Sequence, residues 1–232
     1  WKADLVRELV VRTSHYLQSG GTVLESSFPT EAHKRLLAAG EQVVRLEGHE
    51  LTVVARDRPG VFSRVAGTLA LHGVDILEAQ LHTEGDLALE VLRVSGGIGL
   101  EERPQQVQDD ISLALDGKLA VRARLLQRAR TYRFQRVTTA RPAAPEVIFD
   151  NDLSSTATVL EVRGPDSIGL LYRITRAMAD LDLDIVSAKV QTLGDDFVDS
   201  FSVRDAHGHK IDDAAYLGEI EMAELSAVAA DA

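Results

Sequence analysis

At 232 residues the chain has room for one large or two small domains, and with 45% apolar and 26% charged residues it has the make-up of an ordinary globular protein. A formal charge of −11 argues against a sequence-independent grip on nucleic-acid phosphates and against docking on anionic lipid, since both need a basic surface. The absence of cysteine excludes a disulfide framework, a thiolate nucleophile and a thiolate metal site; with no run of about 20 apolar residues and no signal peptide, a cytoplasmic protein is expected, and a start at Trp1 leads us to expect a piece of a longer one.

In chain order, Trp1–Leu17 carries a helical apolar spacing (Leu5, Leu9, Tyr16) and is read as the tail of a preceding domain. Thr30–Ala39 is a short helix, and Glu41–Glu47 an extra strand hairpinned through Gly48 to the β-branched strand Leu51–Arg56. After a turn at Asp57-Arg-Pro-Gly60, Phe62, Val65 and Leu69 recur at three- and four-residue spacing, which predicts a helix ended by Gly73. Val74–Thr83 and Leu87–Ser95 pair as a hairpin across Glu84-Gly85-Asp86, and Pro104–Asp116 is a second helix with Val107, Ile111 and Leu115 on one face. Lys118–Gln135 reads as a linking helix, and Arg141-Pro-Ala-Ala-Pro145 as a linker.

The second half repeats the first. An ungapped shift of 109 residues lays Leu51–Val94 on Leu160–Val203, matching Asp57 with Asp166, Gly60 with Gly169, Arg64 with Arg173, Asp75-Ile76 with Asp184-Ile185, Ala79 with Ala188, and Gly85-Asp86 with Gly194-Asp195. Strand Thr158–Arg163, a turn to Gly169, a helix with Ile174 and Met178, the hairpin Leu183–Thr192 with Phe197–Asp205, and a last helix from Asp212 follow. Each unit reads β-α-β-β-α, with Glu146–Phe149 able to supply a final strand to the first. The fold class is therefore α+β: two ferredoxin-like (βαββαβ) domains after an N-terminal helical segment, divided as 1–40, 41–150 with the linking helix, and 151–232.

A strand feeding a helix through a glycine turn leaves backbone N–H groups free at the helix start, where they suit a carboxylate. Gly60 and Gly169 leave room for a ligand against the backbone, and Asp57 and Asp166 lie where a carboxylate would pair with an ammonium; these are the two halves of an α-amino acid. The alternative is that each glycine only makes its turn and each aspartate only caps its helix.

Leu51–Phe62 followed by His72-Gly-Val-Asp-Ile76 resembles the start of an ACT domain, and Thr158–Leu171 through Asp182–Lys189 resembles another. The tandem spacing, together with Val190–Asp199, Asp205–Ile211, Phe28-Pro-Thr-Glu and the opening helix, resembles the C-terminal regulatory region of bifunctional PII uridylyltransferase/uridylyl-removing enzymes. That resemblance implies an allosteric region that senses glutamine, has no catalytic residues or cofactor of its own, and works on the parent's catalytic domains (where magnesium is expected) and through them on PII. It implies ligand loops at Asp57, Arg58, Pro59, Gly60, Val61, Phe62 and at Asp166, Ser167, Ile168, Gly169, Leu170, Leu171. Facing strand starts Asp75, Ile76, Leu77 and Asp184, Ile185, Val186 would close sites across paired ACT modules, within or between chains. The second loop lacks the first one's proline, which makes equal affinity of the two sites doubtful.

Other signals lead elsewhere or nowhere. There is no His-Asp dipeptide and no Gly-Ser pair ahead of an Asp-x-Asp, so no hydrolase or nucleotidyltransferase centre is expected. Gly164-Pro-Asp-Ser167 has proline where a nucleophile elbow needs a slim residue, and Gly97-Ile-Gly99 lacks the third glycine of a dinucleotide loop. His207 and His209 form a turn pair without further metal ligands. The arginines between Lys118 and Arg136 are either a docking face or a solvated helix face. A tandem scaffold that docks protein and binds no small molecule is the rival to the sensor.

Overall fold

The computed structural model describes residues 28–96, 98–133 and 144–229. Two compact units divide after Arg35, and the architecture below is that of Leu36–Ala232. The helix expected over Trp1–Leu17 lies outside the described residues. The elements are α1 (Glu31–Ala39), β1 (Val43–Glu47), β2 (Glu50–Arg56), α2 (Val61–Leu71), β3 (Asp75–Glu84), β4 (Leu87–Ser95), α3 (Ile98–Glu102), α4 (Pro104–Leu115), α5 (Val121–Arg133), β5 (Glu146–Asp150), β6 (Thr158–Pro165), α6 (Leu170–Asp180), β7 (Asp184–Lys189), β8 (Thr192–Leu193), β9 (Asp196–Arg204) and α7 (Ala214–Ala229).

The strands form one antiparallel sheet in the order β1-β2-β4-β3-β7-β9-β6-β5, with the short β8 on β9. Each repeat contributes four neighbouring strands, and the two sets meet where β3 pairs with β7. At that seam Ala79 lies opposite Ala188, its own counterpart 109 residues on, while Glu78 faces Lys189 and Gln80 faces Ser187. A local two-fold axis therefore passes between the two alanines, both almost wholly buried. The small side chains let the strands of the two units join without a gap in the sheet.

One expectation is corrected. Glu146–Asp150 is not the last strand of the first unit but the first strand of the second, paired with β6 from Glu146↔Arg163 to Asp150↔Val159. The loop after it is anchored locally: Thr158 Oγ1 donates to Asn151 Oδ1 at 2.7 Å, and Asn151 Nδ2 donates to the Ile211 carbonyl at 2.9 Å. In the first unit β1 does the same job through the Gly48-His49 turn, as its hairpin with Leu51 predicts. The edge beside the first helix-bearing strand is thus filled from upstream in both copies, giving ββαββα in place of βαββαβ. The ferredoxin-like layers are unchanged, because a hairpin delivers the same antiparallel edge as a return from the last helix would.

Helices cover one face, with α2 packed on α4, α6 on α7, and α2 and α6 on each other. The core beneath is continuous across the seam, from Leu51, Val65, Leu69 and Ile111 to Ile174, Met178, Phe201 and Ile220. Gly67 permits the α2 contact: a Cβ there would stand 2.5 Å from Val121 Cγ1 and 2.7 Å from Tyr172 Cδ2. That packing lets α5 lie across the α2/α6 pair, sealing Val121 and Leu125 against Leu119, Ile168 and Tyr172.

Candidate functional site

Between β2 and α2 the chain turns at Asp57–Gly60. Gly60 takes the left-handed conformation (φ 83°, ψ 21°) and starts α2 without any side-chain cap. Gly169 does the same before α6 (φ 74°, ψ 16°), so neither Asp57 nor Asp166 caps its helix. Instead the backbone N–H of Asp57 donates to the Asp86 carbonyl at 2.8 Å, and that of Asp166 to the Asp195 carbonyl at 2.9 Å, which ties each loop to its hairpin turn. At the α2 start, Val61 N–H is taken by the Arg58 carbonyl, while Phe62 and Ser63 have no backbone acceptor for theirs among the described residues.

The first loop opens on a cavity of about 510 Å³. Asp57, Arg58, Pro59, Gly60, Val61 and Phe62 line it together with Thr175, Ala179, Asp182, Asp184 and Ile185 of the second unit. Of the sequence-derived residues, Val186, Asp75, Ile76, Leu77 and Asp166–Leu171 do not line it. The second loop has a different neighbour. A Cβ on Gly169 would lie 3.2 Å from Leu125 Cδ1 and 3.3 Å from Cδ2, so α5 occupies the backbone approach there. At Gly60 the nearest atoms to such a Cβ are Ser63 Oγ at 3.1 Å and Arg176 Nη1 at 3.3 Å, both polar.

Charged groups of both signs line the cavity. Arg58 lines it, while Arg64 and Arg176 line a neighbouring cavity with Tyr172, and Arg176 pairs with Asp180 at 2.7 Å. Burial, then Arg58 and Arg176, hold the Arg64 guanidinium below the usual arginine range, and its Nη1 is buried with no hydrogen-bond partner. Acidic groups line the cavity as well, Asp57, Asp182, Asp184 and Glu90 among them. Burial, offset by Arg204 and reinforced by Asp57, raises the Asp184 carboxyl. Glu90 of β4 is 2% exposed, lines the cavity, and is pushed up to about 8 by burial and by Asp57.

Glu90 escaped the sequence reading, although it had a signal: it is the acid within Leu87-Ala-Leu-Glu-Val-Leu, and the 109-residue shift places it on Asp199. Asp199 is equally buried and pushed up to about 7 by burial and Asp166, despite accepting the Gln191 N–H at 3.2 Å. The Asp205–Gly208 turn also reaches the cavity. Its carboxylate is spent on the N–H groups of His207 and His209, at 2.9 and 2.8 Å, and among the described residues no group of three acids or histidines is placed to hold a metal ion.

Family models match the two units separately: the ACT domain model over residues 49–102, and the model of the ACR family N-terminal ACT domain over 153–230. The chain carries two ACT domains. They contain both glycine loops, Glu90, Asp184 and Asp199. The ACT pair is 39% identical over 184 residues to the bifunctional uridylyltransferase/uridylyl-removing enzyme of Rhodospirillum rubrum, covering 77% of this chain and 19% of that one. To the enzyme of the same name from Azospirillum brasilense it is 37% identical over 186 residues, covering 78% and 20%. The chain thus spans about a fifth of the length of these curated relatives. Among solved structures, a protein from Galdieria sulphuraria is 16% identical, covers 76% of this chain and 90% of its own, and has a TM-score of 0.26, too low to add to the argument. No helix among the described residues is long and apolar enough to cross a membrane.

Proposed function

We propose that the ACT pair binds an α-amino acid, glutamine, in the cavity between Asp57–Phe62 and Asp184-Ile185, and that occupancy reports nitrogen supply to a bifunctional uridylyltransferase/uridylyl-removing enzyme acting on PII. The observation that carries the reading is that one cavity brings together unspent helix-start N–H groups, the Arg58 guanidinium and the carboxyl groups of Asp57, Asp184 and the buried Glu90. A zwitterion satisfies both kinds of group at once, its carboxylate at the start of α2 and its ammonium toward Asp57. Glutamine among the amino acids rests on the likeness to the uridylyltransferase/uridylyl-removing enzymes. The ligand would bridge loop and facing strand of different units, so binding would tighten the seam at β3 and β7.

For the second loop the protein-docking reading fits better, since Leu125 already fills the approach to Gly169. One ligand per chain is therefore expected. Thermal melts with glutamine, glutamate or glycine at matched millimolar concentration provide the test. A ligand that binds only the native state at a hundred times its dissociation constant adds about 2.7 kcal/mol. A shift with glutamine supports the sensor; a shift with another amino acid alone keeps the sensor and changes its ligand; no shift with any of them leaves the scaffold.

A further inference from the structure

Glu90 is a costly residue for a sheet to hold. It sits on β4 between Val53 of β2 and Leu81 of β3, on the side of the sheet that carries the apolar core, with Leu92 next along the same face. It is 2% exposed, and its Oε2 is buried without a hydrogen-bond partner. An unpaired buried carboxyl costs stability that leucine at the same place would not. Asp199 occupies the equivalent position in the second unit, but the Gln191 N–H satisfies one of its oxygens. The acid is thus partnered where Leu125 closes the loop above and unpartnered where the loop opens on a cavity.

We infer that Glu90 is the ligand-selecting residue of this cavity, its carboxylate accepting hydrogen bonds from the ammonium of the bound amino acid alongside Asp57. The inference rests on the amino-acid reading above and adds to it the residue that makes a charged amine obligatory. Electrostatics around the position agree. Asp57 from the β2–α2 loop acts on Glu90 directly; from the second unit Asp184 and Asp205 face the same cavity, and His82 on β3 lies toward Asp184 with Glu84 at 3.7 Å. Asp182 lines the cavity too, with Arg58 as its one arginine among the described residues, so acid predominates over base around Glu90. Burial and Asp57 push its carboxyl up to about 8, which keeps its proton on at neutral pH. When an ammonium arrives, the carboxyl ionises and the proton passes to the buffer, while the ligand's own three N–H bonds stay intact.

Two measurements test this, one without any substitution. Calorimetric titration of the wild-type chain with glutamine at pH 7, in phosphate and in Tris, reads proton release from the difference in apparent enthalpy. Release approaching one proton per ligand is expected; none would overturn the inference. The second is Glu90→Gln, which keeps the shape, and whose melt in the absence of ligand reports that it is folded. Glutamine binding should weaken roughly tenfold or more and its proton release should vanish. Glutaramic acid, which is glutamine without its α-amine, should bind both proteins equally weakly. Wild-type and Glu90→Gln chains that bind glutamine equally would overturn the role of Glu90 and leave the amino-acid site standing. A wild-type chain that binds no amino acid would overturn both.

Discussion

Gly60 and Gly169 hold the same left-handed backbone, start equivalent helices and tie back to equivalent hairpin turns, yet Gly60 borders a cavity with polar atoms of Ser63 and Arg176 nearest to it, and Gly169 faces a leucine. The difference does not originate in the loops. It comes from α5, which has no counterpart after the second unit among the described residues and which crosses the helix layer on the side of Gly169. Repetition of a unit therefore duplicates a loop's geometry without duplicating its surroundings. A site belongs to the loop together with whatever packs over it.

The sharpest contrast between the units lies in their last helices. Leu115 of α4 is buried in the first unit's core, and the 109-residue shift puts Glu224 of α7 in its place. Glu224 is fully buried, both its oxygens lack partners, and burial pushes its carboxyl up to about 9. A carboxyl raised in the native state binds its proton more tightly folded than unfolded. Its contribution is therefore most favourable below the unfolded value near 4.5 and declines as pH rises toward 9. Each pH unit in that window removes at most about 1.4 kcal/mol, or about 4 kcal/mol between pH 5 and pH 8. Glu224→Leu, which copies the first unit, should raise stability more at pH 8 than at pH 5, as urea midpoints at the two values will read. Glu90 and Asp199 act with the same sign, so the slope should flatten without vanishing. An unchanged slope would mean that Glu224 finds a partner in solution.

Next in size is the residue that closes the second loop. Leu125 is 5% exposed and packs with Val121, Ile168 and Tyr172. Leu125→Ala should cost about 2–5 kcal/mol, as buried leucines do. It should also uncover Gly169, so that a chain proposed to bind one glutamine begins to bind a second, more weakly, in calorimetry. If the folded variant still binds one, the second loop lacks more than access.

These contrasts divide what was legible in the sequence from what was not. The shift that aligns Ala79 with Ala188 exposed both units, and the pair then proved to mark the axis between them. The helices over Val61–Leu71 and Leu170–Asp180 followed from apolar spacing, and the hairpin turns from Gly-Asp pairs. Strand pairing was harder. Glu146–Asp150 has strand composition, but composition does not say whether its partner comes before or after it, and the 151–157 loop decides that by hydrogen bonds made at long range. For the candidate site, Asp57–Phe62 with Asp184 and Ile185 were named from loop chemistry and resemblance, and the fold brings them to one cavity. Glu90 was not, because alternation assigns a face to a strand residue without saying whether a cavity lies above it. Leu125 belongs to a helix outside the repeat, and nothing in a periodic pattern shows which turn it will cover.

The smallest expected effect separates the two helix ends. After α2 the chain leaves through Gly73 at φ 68°, and after α6 through Asp182 at φ 52°, with Val74 N–H and Leu183 N–H each reaching back to close the last turn, on Leu69 and Met178. The left-handed conformation disfavours an L side chain by about 1 kcal/mol, while glycine gives back about half of that by loosening the unfolded chain. Asp182→Gly should therefore stabilise the protein by about 0.5 kcal/mol, visible as a higher urea midpoint at unchanged slope. The reverse exchange, Gly73→Asp, should cost less than this argument alone implies. A Cβ on residue 73 would lie 3.4 Å from Arg128 Nη2, and the added carboxylate would meet a guanidinium there. Asp182 also borders the cavity proposed to hold the ligand, which gives the first exchange a second outcome. If Asp182→Gly lowers the midpoint, or weakens glutamine binding without changing it, the aspartate is held in its strained backbone by its place in the cavity and not merely tolerated at a helix end.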